Sequence, residues 1–448
     1  SDRVNYRGKM SIPKRDATTI LNSLSAGLVP NIGLRHIAVG RVNEIKSLLN
    51  DLDTIQSGGG AVRFVTGRYG SGKSFLLRLI RTYALENNFV VMMADFSPER
   101  RLYGTDREGL ALYQELTKNI ATKLRPEGGA LPAIIEKWIS GVMSKVAQSI
   151  PNGDPRFSST VEKEIMATIA RMREMVRGFD FGLVLQAYYR GYMEGDDNLK
   201  ANAVRWLRGE FNSRSDARTA LGVTSVIDSD TYYDYLKIFA RFVTDLGYAG
   251  LLICLDEAAY LYKIVNSISR KNNYEVILTI VNECLQGNAT DIGFIFGGTP
   301  EFVEDQRRGL LSYEALRSRL SGNKFLGDGM VDFQGPVLKL ADLTVEERAA
   351  LLVKIREVFQ SLNPDARVLS EQEIGEFLRF VLTRDGGEER TSPRELIRDF
   401  INLHNAMKQN PRLKWGDIVK KIRQENPTPI PTTSELDLDP RFVDIKLD

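Results

Sequence analysis

The sequence predicts an α/β fold in which a five-stranded parallel sheet carries a large helical insertion and is followed by a C-terminal helical lid. Three observations predict it. Five short apolar runs lack the alternation of a half-exposed strand, which is typical of strands buried on both faces of a parallel sheet. Segments of helical periodicity separate these runs, as parallel strands require. The connection after the second run is far longer than one crossover helix needs, so it holds an inserted region.

The composition is that of an ordinary globular protein. Its apolar fraction is 43% and its charged fraction 26%, and a chain of 448 residues exceeds one compact core, so we expect two or three domains. No run approaches the ~20 consecutive apolar residues of a membrane span, and the first residues lack a secretion-signal pattern. We therefore expect a cytoplasmic protein with no membrane partner.

Charged, cysteine and histidine residues narrow the class of function. A net charge of +2 does not by itself indicate nucleic-acid binding. A basic cluster near the start fits either a solvated arm or a DNA-binding arm, and it comprises Arg3, Arg7, Lys9, Lys14 and Arg15. Cys254 and Cys284 lie in apolar surroundings and are expected to be reduced core residues. Because the only histidines are His36 and His404, the sequence argues against a zinc site or a histidine-based catalytic centre.

The predicted elements alternate between helix and strand along the chain. Residues 18–26 are predicted to be helical, and an amphipathic helix with Ile45, Leu48 and Leu52 on one face precedes a glycine-rich turn. The predicted strands are 62–66, 89–95, 251–255, 292–296 and 337–340. About 155 residues of mostly helical periodicity separate the second strand from the third. After the sheet, Thr344 and Glu347 form a capping box that starts a helix, and helical periodicity continues to about residue 425.

These elements divide the chain into five predicted regions. They are an N-terminal helical segment (1–60), an α/β core (61–104 and 241–341), a helical insertion (105–240), a helical lid (342–425) and an extended tail (426–448). Acidic and basic residues are about balanced in the insertion. This balance favours a packed or partner-binding helical subdomain over an electrostatic DNA clamp.

Residues 67–74 read Gly-Arg-Tyr-Gly-Ser-Gly-Lys-Ser, a complete G-x-x-x-x-G-K-S motif between a predicted strand and a predicted helix. In that setting the glycines let backbone N–H groups surround phosphates, and the helix N-terminus adds partial positive charge. Lys73 is expected to reach the β and γ phosphates, and Ser74 to ligate Mg²⁺. The expected phosphate contacts are Gly67, Gly70, Ser71, Gly72, Lys73 and Ser74. The sequence therefore predicts a nucleoside triphosphate site, although no motif separates ATP from GTP.

Two strand ends carry polar residues that suit nucleotide chemistry. Asp256 ends a buried strand, at the edge where open α/β sheets bind their ligands. Its carboxylate is expected to hold Mg²⁺. The alternative is that Asp256 is the N-cap residue of the next helix. Glu257 is the candidate to polarise the attacking water, although a solvated first-turn glutamate has the same pattern. Thr299 follows another core strand and either orients water near the γ-phosphate or is a turn residue before Pro300.

Three arginines are candidates to stabilise phosphate charge. Residues 392–395 (Ser-Pro-Arg-Glu) have the pattern of a helix start, which places Arg394 in the first turn of a lid helix. Its guanidinium is expected to reach the γ-phosphate; the alternative is a surface arginine. Between the fourth and fifth strands, Arg319 is the candidate to act on a neighbouring subunit's nucleotide, with Arg317 in reserve. A structural salt bridge is the alternative for both.

Taken in order, these motifs resemble those of the AAA+ ATPases, and the similar clade is that of the origin-recognition initiators. The resemblance covers about residues 35–100 and 245–410. It implies that Val39, Gly40 and Arg41 form the nucleotide-contacting box II, and that Asp256 with Glu257 forms Walker B. It further implies sensor 1 at Thr299, an arginine finger at Arg319 and sensor 2 at Arg394. The initiators also carry a C-terminal winged-helix domain, for which too few residues follow the predicted lid.

A narrower resemblance rests on residues 33–41, Gly-Leu-Arg-His-Ile-Ala-Val-Gly-Arg, and 201–210, Ala-Asn-Ala-Val-Arg-Trp-Leu-Arg-Gly-Glu. Both stretches are similar to the ATP-binding proteins of BREX phage-defence systems, the BrxC/BrxD-type family, in which a helical insertion is expected. The resemblance implies an ATP-hydrolysing protein that forms a homo-oligomer or AAA+ assembly and acts with other defence proteins on or near double-stranded DNA. The alternative is a nucleotide-dependent switch or scaffold with slow turnover. A processive helicase ranks third, because no channel of stacking aromatic residues is visible.

Overall fold

The computed structural model of the protein describes residues 12–323, 325–326, 331–385 and 391–425. Three of the N-terminal basic residues (Arg3, Arg7 and Lys9) and the predicted tail 426–448 lie outside this part of the chain. The chain divides into two compact units. The first unit takes its described residues from 1–45, 67–79 and 340–448, and the second from 46–66 and 80–339.

The second unit is built on a five-stranded, all-parallel sheet, as the sequence predicts. The strands are β1 (Gly60–Thr66), β2 (Val90–Asp95), β3 (Leu251–Asp256), β4 (Ile292–Gly298) and β5 (Val337–Lys339). They lie in the order β2-β3-β4-β1-β5. Every residue of β3 and β4 is buried, which explains their continuous apolar runs.

The register aligns the carboxyl ends of the strands. Thr66 of β1 pairs with Gly298 of β4, and Asp95 of β2 pairs with Asp256 of β3. Because all strands run in the same direction, β1, β3 and β4 end at one edge of the sheet, with β4 between the other two. This edge is the place where an open α/β sheet binds its ligands.

Helices occupy most of the remaining described chain. Before β2 they are α1 (Lys14–Ser25), α2 (Val42–Gln56) and α3 (Lys73–Glu86). Between β2 and β3 they are α4 (Glu108–Lys118), α5 (Leu131–Ala147), α6 (Arg156–Arg173), α7 (Gly178–Glu194), α8 (Asp197–Leu207), α9 (Arg214–Leu221) and α10 (Tyr232–Asp245). After β3 they are α11 (Ala259–Tyr262), α12 (Ser267–Gln286), α13 (Pro300–Glu304), α14 (Glu314–Leu320), α15 (Val345–Leu362), α16 (Glu371–Asp385), α17 (Pro393–Gln409) and α18 (Trp415–Glu425). No helix in the described ranges has both the length and the hydropathy to cross a membrane.

The helices between β2 and β3 share one hydrophobic core with the sheet. Aromatic side chains form much of it: the Phe181 ring packs edge-on against Phe239 with 5.2 Å between the ring centroids. Trp206, from the 201–210 stretch, is buried against Tyr235, and its indole N–H donates to the Ser225 carbonyl at 2.8 Å. This stretch therefore holds α8 to the rest of the helical region.

The first unit has its own core, formed by apolar residues of α1, α15, α16 and α17. Thr344 and Glu347 make the predicted capping box at the start of α15. Arg348 in the same turn is only 2% exposed, and it donates to the carbonyls of Leu343 (3.0 Å) and Thr391 (2.9 Å). A buried guanidinium is tolerated only when its donors are used, so these bonds fix the start of α15 to the segment before α17.

Candidate nucleotide-binding site

The loop between β1 and α3 has a conformation that requires its glycines. Gly70 and Gly72 have φ angles of +82° and +93°, in the left-handed region that favours glycine. A Cβ atom on Gly67 would lie 2.4 Å from the Ser71 hydroxyl oxygen, closer than real Cβ contacts. Two of the glycines therefore serve backbone conformation, and the third allows the loop to close on itself.

The polar groups of this loop fit a phosphate ligand. The Lys73 ammonium lies over the loop and donates to the carbonyls of Gly67 and Arg68, each at 2.8 Å. Ser71 is 4% exposed, and its hydroxyl oxygen has no hydrogen-bond partner among the described residues. Such a buried polar atom is where a ligand can supply the missing partner. Since α3 begins at Lys73, its N-terminal amides and the Ser74 hydroxyl belong to the same turn.

Arg41 is tied directly to the phosphate-binding loop. Its guanidinium donates to the Ser71 carbonyl at 3.1 Å and to the Ala341 carbonyl, and it pairs with Glu44 at 3.3 Å. The side chain is 13% exposed. Its φ of +60° is unusual for a residue other than glycine. The structure thus links the predicted box II arginine to the loop through a backbone carbonyl.

The residues before Arg41 are packed within the first unit. Val39 is buried, and Gly40 has a φ of +60°. A Cβ atom on Gly40 would lie 2.3 Å from a carboxylate oxygen of Glu347, so the capping glutamate of α15 closes against this glycine. A nucleotide contact from Val39 or Gly40 stays a prediction.

Arg394 also reaches the loop. Ser392 caps α17 by accepting the Glu395 N–H, and Pro393 occupies the first turn, so the predicted helix start is confirmed. The Arg394 guanidinium donates to the Tyr69 phenolic oxygen at 2.6 Å, and its carbon lies 5.0 Å from the Tyr69 ring centroid. The motif gave no role to Tyr69, and this contact is one that sequence reasoning missed.

The acidic pair lies at the carboxyl end of β3. Asp256 is 4% exposed, and one of its carboxylate oxygens accepts the Glu257 N–H at 2.8 Å. Ala258 holds the N-cap position of α11, so Asp256 is not that cap. Glu257 is exposed and has a φ of +58°, a strained conformation for a glutamate of the kind that clusters at functional sites. Asp95, paired in register with Asp256, is a third acid at this edge that the sequence reasoning passed over.

Thr299 and the two arginines of α14 also lie in the second unit. Thr299 is the N-cap residue of α13, but its hydroxyl makes no capping hydrogen bond to that helix, whose residues are all described. Arg319 is exposed and donates to the Asn282 side chain and the Ala315 carbonyl. Arg317 is exposed and donates to the Leu311 carbonyl. Neither arginine pairs with a carboxylate within the described chain, which weakens the salt-bridge alternative.

The structure therefore groups the predicted residues in two sets. In the first unit, Arg41 and Arg394 meet loop 67–74; in the second, Asp256 and Thr299 follow adjacent strands at one sheet edge. A glycine-rich loop that follows one strand of a parallel sheet, together with an acid that ends another strand of that sheet, defines a P-loop nucleotide-binding protein.

The sequence profile of the BREX system ATP-binding protein BrxC/D family matches residues 12–423, and the chain belongs to that family. It is an ATP-binding protein of a phage-defence system, which confirms the resemblance seen at 33–41 and 201–210. The matched range includes the sheet, the helical insertion and the helices of the first unit. No curated protein matches the chain.

Proposed function

We propose that this protein is an ATP hydrolase that uses Mg²⁺ and couples ATP binding and hydrolysis to its assembly and action on or near DNA. One observation carries the proposal. β1, which leads into loop 67–74, and β3, which ends in Asp256 and Glu257, terminate at the same edge of one sheet with β4 between them. The strand that leads into the motif and the strand that ends in the pair of acids thus end at one edge of the same sheet.

Each proposed role follows from the chemistry of the group. Lys73 and the amides at the start of α3 hold the β and γ phosphates. The Ser74 hydroxyl and the Asp256 carboxylate are the oxygen donors that would hold Mg²⁺, which usually takes one or two protein ligands beside phosphate and water. Glu257, which is exposed and has a strained backbone, accepts a hydrogen bond from the attacking water. Thr299 has a hydroxyl available to orient the same water.

We further propose that the protein acts as an assembly in which Arg319 of one subunit contacts the nucleotide of the next. Its exposure and the absence of a carboxylate partner in the described chain support this role, and its bond to Asn282 limits its rotamers. The proposed partners are further copies of the chain, other defence-system proteins and double-stranded DNA.

ATP turnover tests the proposed function. Turnover is measured with and without duplex DNA for the wild type, Lys73→Ala and Glu257→Gln. We expect wild-type turnover to rise on DNA and to be lost in both variants, while Glu257→Gln still binds ATP. Wild-type binding with negligible turnover under both conditions would favour the switch or scaffold. A Glu257→Gln variant that still protects cells against phage would also favour the switch or scaffold.

Mixing two inactive variants tests the role of Arg319. Lys73→Ala retains Arg319 but lacks a working loop, whereas Arg319→Ala retains the loop. If the arginine acts on a neighbour, the mixture should recover part of the turnover that each variant lacks alone. Recovery must not occur when Arg319→Ala is mixed with Lys73→Ala/Arg319→Ala, the matched control. Full activity of Arg319→Ala alone would contradict the role of Arg319 and make Arg317 the remaining candidate.

A further inference from the structure

We propose that Tyr69 is a positioning residue that holds the Arg394 guanidinium at the phosphate-binding loop for the γ-phosphate of ATP. The inference rests on the proposed function, in which ATP binds at loop 67–74 and Arg394 contacts its γ-phosphate. Tyr69 occupies a variable position of the G-x-x-x-x-G-K-S motif, so the motif itself requires no particular side chain there.

Two different parts of Tyr69 contact the same guanidinium. The phenolic oxygen accepts a hydrogen bond from an Arg394 terminal nitrogen at 2.6 Å. The guanidinium carbon lies 5.0 Å from the ring centroid, within the range of a cation–π interaction. Because both contacts come from one side chain, they restrict the position and the orientation of the guanidinium together.

The rest of Arg394 is held from other directions. Ser392 and Pro393 fix its Cα in the first turn of α17. Gly27 has a φ of +72°, and a Cβ atom there would lie 3.3 Å from Arg394 Cδ, so backbone packs closely against the arginine stem. An exposed arginine otherwise spreads over many rotamers, and these contacts reduce that freedom before a ligand arrives.

The Tyr69 hydrogen bond uses one of the five N–H donors of the Arg394 guanidinium, so the arginine can bind a phosphate while it stays in contact with Tyr69. A guanidinium binds a phosphate through stronger, charge-assisted hydrogen bonds than it makes to a neutral phenol. ATP therefore gains hydrogen bonds from an arginine that Tyr69 already holds in place, while ADP offers no γ-phosphate to accept them. Tyr69 should thus contribute to the preference for ATP over ADP, through Arg394 rather than through the loop itself.

Nucleotide binding by calorimetry, with Mg²⁺ and in the Glu257→Gln background to prevent hydrolysis, tests the inference. The variants are Tyr69→Ala, Tyr69→Phe, Arg394→Ala and the Tyr69→Ala/Arg394→Ala pair. Tyr69 is 74% exposed, so its variants should fold. We expect Tyr69→Ala to weaken ATP binding about five- to tenfold and ADP binding less than about twofold, with a smaller loss for Tyr69→Phe, which keeps the ring. Arg398→Ala, one turn further along α17 and exposed, should leave both affinities unchanged.

The double variant separates the possible causes. If Tyr69 acts through Arg394, adding Tyr69→Ala to Arg394→Ala should change ATP affinity no further. Equal losses for ATP and ADP, or fully additive losses in the double variant, would overturn the inference while leaving the proposed function intact. A parent protein that binds neither nucleotide would overturn the proposed function, and this inference with it.

Discussion

Arg41 offers the most direct test of how the first unit supports the phosphate-binding loop. In Arg41→Ala, the carbonyls of Ser71 and Ala341 lose a charged donor from a side chain that is only 13% exposed. A hydrogen bond to a charged group contributes about 1.5–3 kcal/mol, and water can reach part of this site, so the lower value applies. Because local opening of the loop breaks only the bond to Ser71, the expected loss in the local stability of the loop is about 1.5 kcal/mol.

The backbone of Arg41 adds a second, separable effect. Its φ of +60° strains alanine as much as arginine, whereas glycine adopts it freely. Arg41→Gly should therefore be less destabilised than Arg41→Ala by about 0.5–1 kcal/mol, although both lack the guanidinium. The difference between the two variants isolates the backbone strain from the hydrogen bonds.

Amide hydrogen exchange of a peptide covering residues 67–76 measures this local stability. A loss of about 1.5 kcal/mol corresponds to exchange roughly tenfold faster in Arg41→Ala, and the increase should be smaller in Arg41→Gly. Lys46→Ala, an exposed change in α2, is the control. Unchanged exchange of this peptide in Arg41→Ala would refute the reasoning, because it would show that the loop keeps its conformation without the arginine.

Three further predictions concern strain, protonation and thiol reactivity. Glu257→Gly should abolish turnover but raise the free energy of unfolding by about 0.5–1 kcal/mol, since glycine relieves the φ of +58°; lower stability in denaturant titrations would contradict this. Burial lowers the pKa of His404, whose Nε2 accepts a hydrogen bond from the Leu369 N–H. The imidazole therefore binds a proton more readily in the unfolded state than in the folded state. Stability should be full above pH ~6.5 and fall below it by up to about 1.4 kcal/mol per pH unit, and His404→Gln should lose this part of the slope. Burial raises the pKa of both Cys254 and Cys284 to about 12, so neither thiol should react with iodoacetamide at pH 7.5 unless the protein unfolds, as mass spectrometry would show.

Local patterns predicted the elements, because their causes are local. The strands were recognisable from continuous apolar runs, and the starts of α15 and α17 from residues that bond within one helical turn. The strand order was not predicted. β4 lies between β1 and β3 because of the way the chain crosses over between strands. The sequences of the strands do not show which strands pair with each other.

The contacts that organise the loop could not be predicted from the sequence either. Tyr69 and Arg394 are 325 positions apart, and Arg41 meets Ala341 across 300 positions. Tertiary packing sets such distances, so only the chemistry of the individual side chains could be predicted. The sequence identified Arg394 as a phosphate ligand candidate, but its partner in the loop required the fold.

Three departures from local rules fall on residues of the candidate site, although similar departures occur elsewhere in the described chain. Asn88 and Asp291 have positive φ angles, but asparagine and aspartate tolerate that region. Arg41, Arg177 and Glu257 are neither asparagine nor aspartate; Arg41 and Glu257 are candidate site residues, whereas Arg177 is the N-cap residue of α7. Ser71 adds a buried hydroxyl without a partner in the described chain. These three features occur on residues whose proposed ligands are phosphate, Mg²⁺ and water. The proposed nucleotide binding would give these three features a common cause.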